Sequence, residues 1–163
     1  MDVTKLESQT LELKKEHFNL NDVILNAMDD IVLGKEFGSK DLHISYRPHD
    51  IVLQADKSRI SEVISNLLNN AVKFTSEGMI TISVEKTNKE KNWVMVSVKD
   101  TGQGIDASML PRLFTKFASK SFHGTGLGLF ISKGIVEAHG GKIWAKNNVD
   151  GIGATFSFSL PAM

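Results

Sequence analysis

Apolar residues recur along this chain at two spacings, and the switches between them mark out helices and strands. From Asn21 onward, Val23, Ile24, Ala27, Met28, Ile31 and Val32 fall one, three or four apart, which gathers them on one side of an α-helix. Asn19 or Asn21 offers a cap and Gly38 a stop. Between Asp56 and Phe74 a longer stripe (Ile60, Val63, Ile64, Leu67, Leu68, Ala71) predicts a second helix, with Glu62, Asn66, Asn69, Asn70 and Lys73 on its opposite face. Residues 127–139 form a third helical pattern that stops at Gly140-Gly141, as a left-handed cap would. Residues 107–114 read as a short helix.

Alternation at period two marks strands at 79–86 and 93–99, neighbours joined by polar residues 87–92, and at 142–147 and 154–160, around a turn at 149–153. Residues 42–46 and 51–54 read as a hairpin broken by Pro48-His49-Asp50, and residues 13–20 as an edge strand. The irregular succession of strands and helices predicts the α/β class. The expected form is a two-layer sandwich with a mixed sheet of about five strands, an N-terminal hairpin or edge strand, and three main helices on one face.

The chain has 163 residues, 41% of them apolar, which suits one domain with a real core. Nineteen Lys+Arg balance nineteen Asp+Glu, so no net field favours nucleic acid or anionic lipid. With no cysteine, disulfides, a thiolate metal site and a cysteine nucleophile are excluded. The first twenty residues are too charged for a signal peptide, and no apolar run approaches the ~18 residues of a membrane span.

Of thirteen glycines, eight (102, 104, 124, 126, 128, 134, 140 and 141) crowd together. Asp100-Thr101-Gly102-Gln103-Gly104-Ile105 follows a predicted strand, and Gly124-Thr125-Gly126-Leu127-Gly128-Leu129 precedes a predicted helix. Glycines ahead of a helix let a ligand approach the backbone, while the helix's free amides and positive dipole end attract phosphate oxygens. The ordinary alternative is a flexible turn. No P-loop, G-x-G-x-x-G fingerprint or serine/threonine kinase motif set is present.

On the second predicted helix Asn66 and Asn70 stand one turn apart and Lys73 follows three residues later, so all three project the same way. Asparagine is about 0.6 kcal/mol less favourable than alanine inside a helix, so this concentration asks for a reason beyond propensity. Amide oxygens suit a magnesium ion carrying phosphate oxygens, and lysine adds charge for the same phosphates. The competing reading is a solvated polar face. Asp100, at a strand end, can accept a hydrogen bond from the exocyclic amino group of adenine, whereas the guanine oxygen would be repelled. ATP is therefore expected over GTP, although Asp-Thr-Gly by itself is also an Asx turn.

In this order the motifs resemble those of the catalytic ATP-binding domain of sensor histidine kinases. Asn66-Leu67-Leu68-Asn69-Asn70-Ala71-Val72-Lys73-Phe74 is similar to their N box and Asp100 to Ile105 to their G1 box. Leu113-Phe114-Thr115-Lys116-Phe117 is similar to their F box, and Gly124 to Leu129 with Ile135-Val136-Glu137-Ala138-His139-Gly140-Gly141 to their G2 box and the helix after it. The closing Gly153-Ala154-Thr155-Phe156-Ser157-Phe158-Ser159-Leu160-Pro161 is similar to their last strand, so the resemblance runs from about residue 19 to 161.

The resemblance implies the Bergerat (GHKL) fold. It implies that Asn66 and Asn70 bind magnesium, Lys73 contacts phosphate, Phe74 packs on adenine, and Asp100 reads its amino group with help from Thr155. Gly102, Gly104 and Ile105 would shape the adenine side of the pocket, and Gly124, Thr125, Gly126, Leu127, Gly128 and Leu129 the phosphate side. Residues 115–123 would be a lid, with Phe117, Lys116 and Lys120 as candidate ligand contacts. Catalysis would rest on positioning, with Asn66 and Lys73 in support.

ATPases of the same superfamily, resembling gyrase and the mismatch-repair proteins, place a glutamate general base one turn before the magnesium-binding asparagine. Here that place holds Asn66, which cannot accept a proton, and Glu62 lies a further turn back, so transfer is expected over hydrolysis. None of His17, His43, His49, His123 or His139 sits in an acceptor motif of the H-E-x-R-x-P type. His139 reads instead as a cation or hydrogen-bonder at a helix C-terminus. Residues 2–13 resemble the end of a dimerisation helix, which divides the chain into a tail at 1–12 and a catalytic domain at 13–163.

The implied function is that of a two-component protein-histidine kinase, a cytoplasmic catalytic domain in a homodimeric parent. It would pass the γ-phosphate of Mg-ATP to a histidine on a dimerisation domain outside this chain, for relay to a response-regulator receiver domain. Neither nucleic acid nor membrane contact is expected. The alternatives are a GHKL-type ATPase and a non-catalytic ATP-sensing module.

Overall fold

The structure, a computed structural model, describes residues 11–87, 92–116 and 127–162. In chain order the elements are β1 (Glu16–Asn19), α1 (Leu20–Val32), α2 (Lys35–Gly38), β2 (Asp41–Tyr46), β3 (Val52–Ala55) and α3 (Lys57–Phe74). They continue with β4 (Glu77–Thr87), β5 (Trp93–Asp100), a 3-10 turn (Leu110–Arg112), α4 (Gly128–Ala138), β6 (Lys142–Asn147) and β7 (Ala154–Pro161). Five strands form one mixed sheet in the order β2-β4-β5-β7-β6, with β2 parallel to β4 and the other pairs antiparallel. The expected α/β sandwich is the observed one.

One face of the sheet presents Ile80, Ile82, Val84, Val94, Val96, Val98, Phe156, Phe158 and Leu160, all buried. Against it lie the apolar stripes of the helices: Val23 and Ile24 of α1, Ile60, Ile64, Leu67 and Leu68 of α3, and Ile135 and Val136 of α4. Each such side chain contributes about 1.5–3 kcal/mol by leaving water, so the period-3.6 stripe of α3 is what fixes its polar face outward from the core. On the sheet's other face Ser97 and Ser157 pair across the strands at 2.8 Å.

Three local expectations are corrected. Residues 42–46 and 51–54 are not a hairpin: β2 runs parallel beside β4, while β3 pairs antiparallel with β1, Asn19 opposite Val52. The eleven-residue β4 offers β2 a full-length partner, and Leu42 gains a buried position by taking it. The helix expected at 107–114 is reduced to the single turn Leu110–Arg112, because Pro111 has no N–H to donate and its ring would clash inside a longer helix. The first helix stops at Val32, not Gly38. Gly34 is extended, and α2 follows as a separate turn.

Both ends of α3 are held from outside. Lys40 points its ammonium at the carbonyls of Val72 (2.6 Å) and Lys73 (3.3 Å), a cation at the negative end of the helix dipole. At the other end Asp56 caps the helix by accepting from the Arg59 N–H (3.2 Å), and it also accepts from the Lys14 N–H (3.0 Å). The Asp56 N–H donates to Nε2 of His139 (3.0 Å), whose Nδ1 lies 2.8 Å from the Ile135 carbonyl. Accepting at Nε2 and donating at Nδ1 requires the neutral imidazole, so His139 is the hydrogen-bonder of the two sequence readings.

Burial pushes the His139 pKa below its ordinary 6.5, and nearby Lys15 adds to this, against the raising effects of the Ile135 carbonyl and Asp56. On acidification the unfolded chain takes up this proton before the folded one. The stability contributed by the neutral ring is therefore complete above pH 6.5 and is lost as pH falls through the lower folded value. Melting temperature is expected to decline below pH 6.5 in the wild type and to decline less in His139→Gln; parallel profiles would refute this.

Candidate functional site

Three elements converge where the sequence places its chemistry: the polar face of α3, the loop after β5, and the start of α4. Asn66 lies under the first turn of α4, its Nδ2 donating to the Gly128 carbonyl (3.2 Å) and to Oγ of the fully buried Ser132 (3.0 Å). With the amide N–H groups engaged, Oδ1 is the acceptor the residue has to offer. Asn70 and Lys73 follow one and two turns along the same half-buried face, and Phe74 closes the helix. The N-terminal end of α4, where a helix directs its backbone N–H groups outward, lies beside Asn66.

The loop is pinned to the end of α3. The Gln103 N–H donates to the Phe74 carbonyl at 3.2 Å, and a Cβ on Gly102 would stand 2.3 Å from that same oxygen, so only glycine permits the approach. Thr101 continues the β4–β5 ladder by accepting from the Met79 N–H through its hydroxyl (3.0 Å). Asp100 is 4% exposed, and its Oδ1 accepts from the N–H groups of Gly102 (2.9 Å) and Ala154 (3.2 Å). Burial pushes its pKa up, and those two N–H groups oppose the shift. With Oδ1 committed to the backbone, Oδ2 is the atom that can address a ligand.

The structure does not bring Thr155 to Asp100. Thr155 pairs with Lys99 and Lys146 across the sheet, on the face opposite Asp100, and its hydroxyl donates to Asn148 Oδ1 at 2.6 Å. Ala154, through its backbone, makes the contact expected of Thr155. Gly104 and half-buried Ile105 complete the loop, and Leu127, Gly128 and Leu129 open α4. Phe117, Lys120, Gly124, Thr125 and Gly126 lie outside the described residues.

Three residues at this site escape the motifs. Ser132 supports Asn66, and Asn148 donates to the carbonyls of Asp100 (2.9 Å) and Ile152 (2.7 Å). Asn147 bonds both backbone groups of Ile105. An Asn-Asn pair ahead of Val-Asp-Gly reads as turn composition, and its one signal is that it straddles the end of β6 rather than sitting within the turn.

The two-layer sandwich thus carries a buried aspartate at a glycine loop and an asparagine-bearing helix facing the start of α4. Residues 55–163 match the family described as histidine kinase-, DNA gyrase B- and HSP90-like ATPases. Across 99% of its length the chain is 38% identical to the sensor protein KdpD of Clostridium acetobutylicum, of which it spans 18%. The catalytic domain of the histidine kinase ThkA, in a nucleotide-free form, superposes with a TM-score of 0.76 at 31% identity, covering 91% of this chain and 96% of that one. Full-length ShkA in complex with AMPPNP gives 0.82 at 26% identity, covering 98% of this chain and 33% of ShkA. The chain belongs to this family, as an ATP-binding catalytic domain of the sensor histidine kinase type.

Proposed function

We propose that this chain binds Mg-ATP and presents the γ-phosphate to a histidine on the dimerisation domain of its parent kinase, for relay to a response-regulator receiver domain. The observation that carries this is Asp100: a buried carboxylate beside the glycine loop, with one oxygen held by two backbone N–H groups and the other left as the acceptor for a ligand. There Oδ2 accepts from the adenine amino group, Phe74 packs on the ring, and Gly102, Gly104 and Ile105 form the adjoining wall. Asn66, Asn70 and Lys73 hold the metal and phosphates together with the amides of Leu127, Gly128 and Leu129.

Among the described residues no three His, Asp or Glu side chains gather as a metal cluster. The ion would be held by amide oxygens, phosphates and water, and when bound it would supply charge neutralisation along the triphosphate. Asn66 favours transfer over hydrolysis, because an amide already donating to Gly128 and Ser132 takes no proton from water. The tail at 1–12 and catalytic domain at 13–163 fit this reading, as does a homodimeric parent that acts in the cytoplasm. No helix among the described residues is long and apolar enough to cross a membrane.

Calorimetry with ATP, with and without magnesium, tests the proposal. The wild type is expected to bind saturably and to phosphorylate the added dimerisation domain of its parent, but not itself. Asn70→Ala is expected to lose the metal-dependent part of the affinity and keep the rest. Equal losses with and without metal would reduce Asn70 to a structural residue, and absence of saturable binding by the wild type would end the proposal.

A further inference from the structure

Asn147 closes β6, and its side chain reaches Ile105 across 42 residues of sequence. Its Oδ1 accepts from the Ile105 N–H at 2.7 Å and its Nδ2 donates to the Ile105 carbonyl at 2.9 Å. One side chain thus gives Ile105 the two bonds that a paired strand would give. No strand does so, because β7 lies between β5 and β6 in the sheet. Asn148, the next residue, grips the carbonyl of Asp100. Consecutive asparagines therefore hold the two ends of the Asp100 to Ile105 loop, while Phe74 holds its middle at Gln103.

The two grips differ in surroundings. Asn148 is buried and satisfied by three partners, so its loss would cost the fold directly. Asn147 is exposed, and water can replace its bonds in the unclamped state. What water cannot replace is the position of Ile105, which packs at the edge of the core beyond the left-handed turn of Gly104 (φ 78°). We infer that Asn147, outside every nucleotide motif, is a positioning residue that sets the adenine-reading loop, through Ile105, at the height where Asp100 meets the base. The inference rests on the ATP-binding reading and deepens it.

The test compares ATP with inosine triphosphate, whose purine carries an oxygen in place of the amino group. Asn147→Ala is expected to keep its melting temperature, to bind ATP roughly tenfold more weakly, and to bind inosine triphosphate nearly as the wild type does. Unchanged ATP affinity, or equal losses for both nucleotides, would overturn the positioning role. If Asn147→Ala does not melt cooperatively, Asn147→Asp, which keeps the acceptor and loses the donor, carries the same comparison. Amide exchange in the wild type reads the clamp without nucleotide: the Ile105 N–H is expected to be protected, and exchange at the rate of an open loop would refute the clamp. If the wild type fails to bind ATP, the proposed function falls, while the Ile105 exchange still decides the clamp.

Discussion

Replacing Asp100 with asparagine is expected to leave the fold intact and remove the preference for adenine. The new side chain is nearly isosteric, and its carbonyl oxygen can still accept from Gly102 and Ala154, as Oδ1 does at 2.9 and 3.2 Å. Its NH2 group then occupies the place of Oδ2 and faces the amino group of adenine, donor against donor. ATP affinity is expected to fall by about 1–3 kcal/mol, the range for a hydrogen bond to a charged group. Inosine triphosphate, which offers an acceptor at that position, is expected to lose nothing or to gain. Calorimetry with both nucleotides checks this, and an Asp100→Asn protein that binds ATP as tightly as the wild type would remove Asp100 from the pocket.

The second large effect is expected at Gly153, on the far side of the same carboxylate. Its φ of 77° is left-handed, and a Cβ there would stand 2.0 Å from the Asp100 carbonyl oxygen and 2.9 Å from Oδ1. Neither neighbour is a flexible tip, since one is backbone in β5 and the other a side chain held by two N–H groups. Gly153→Ala must therefore push the start of β7 away from the end of β5. A cost of about 3 kcal/mol is expected, which for a chain of this length lowers the melting temperature by roughly 10 °C. Nucleotide binding should fail with it, because Ala154 no longer reaches Asp100. A wild-type melting curve for Gly153→Ala would show that the two strands are not in such close contact.

The parts of the fold legible in the sequence were those with strong periodicity. Ile60, Val63, Ile64, Leu67 and Leu68 leave α3 one orientation, and that orientation delivers Asn66, Asn70 and Lys73 to one face. Strand partners were less legible, because period two states which side a residue faces and nothing of which strand lies beside it. Thus β2 carries the pattern of a strand, and nothing in that pattern separates β3 from β4 as its neighbour. At the site, glycine spacing located the loop of Asp100, since close approach to Phe74 excludes any other residue at Gly102. The support behind it was hidden: Asn147, Asn148 and Ser132 act through atoms that meet only in three dimensions. Thr155 was a different case. It alternates with Phe156 and Phe158 in company with Ser157 and Ser159, so the strand pattern itself turns it away from Asp100.

The sheet order carries a consequence for assembly. β4 with β5 and β6 with β7 are neighbours in sequence and can pair early, whereas β5 meets β7 only through residues as distant as Lys99 and Thr155. The bond between Ala154 and Asp100 lies on that late seam. The proposed nucleotide site is thus completed only where β5 and β7 are joined. A ligand gripping the seam acts as a latch on the folded state, worth about 2.7 kcal/mol at a hundredfold excess over its Kd.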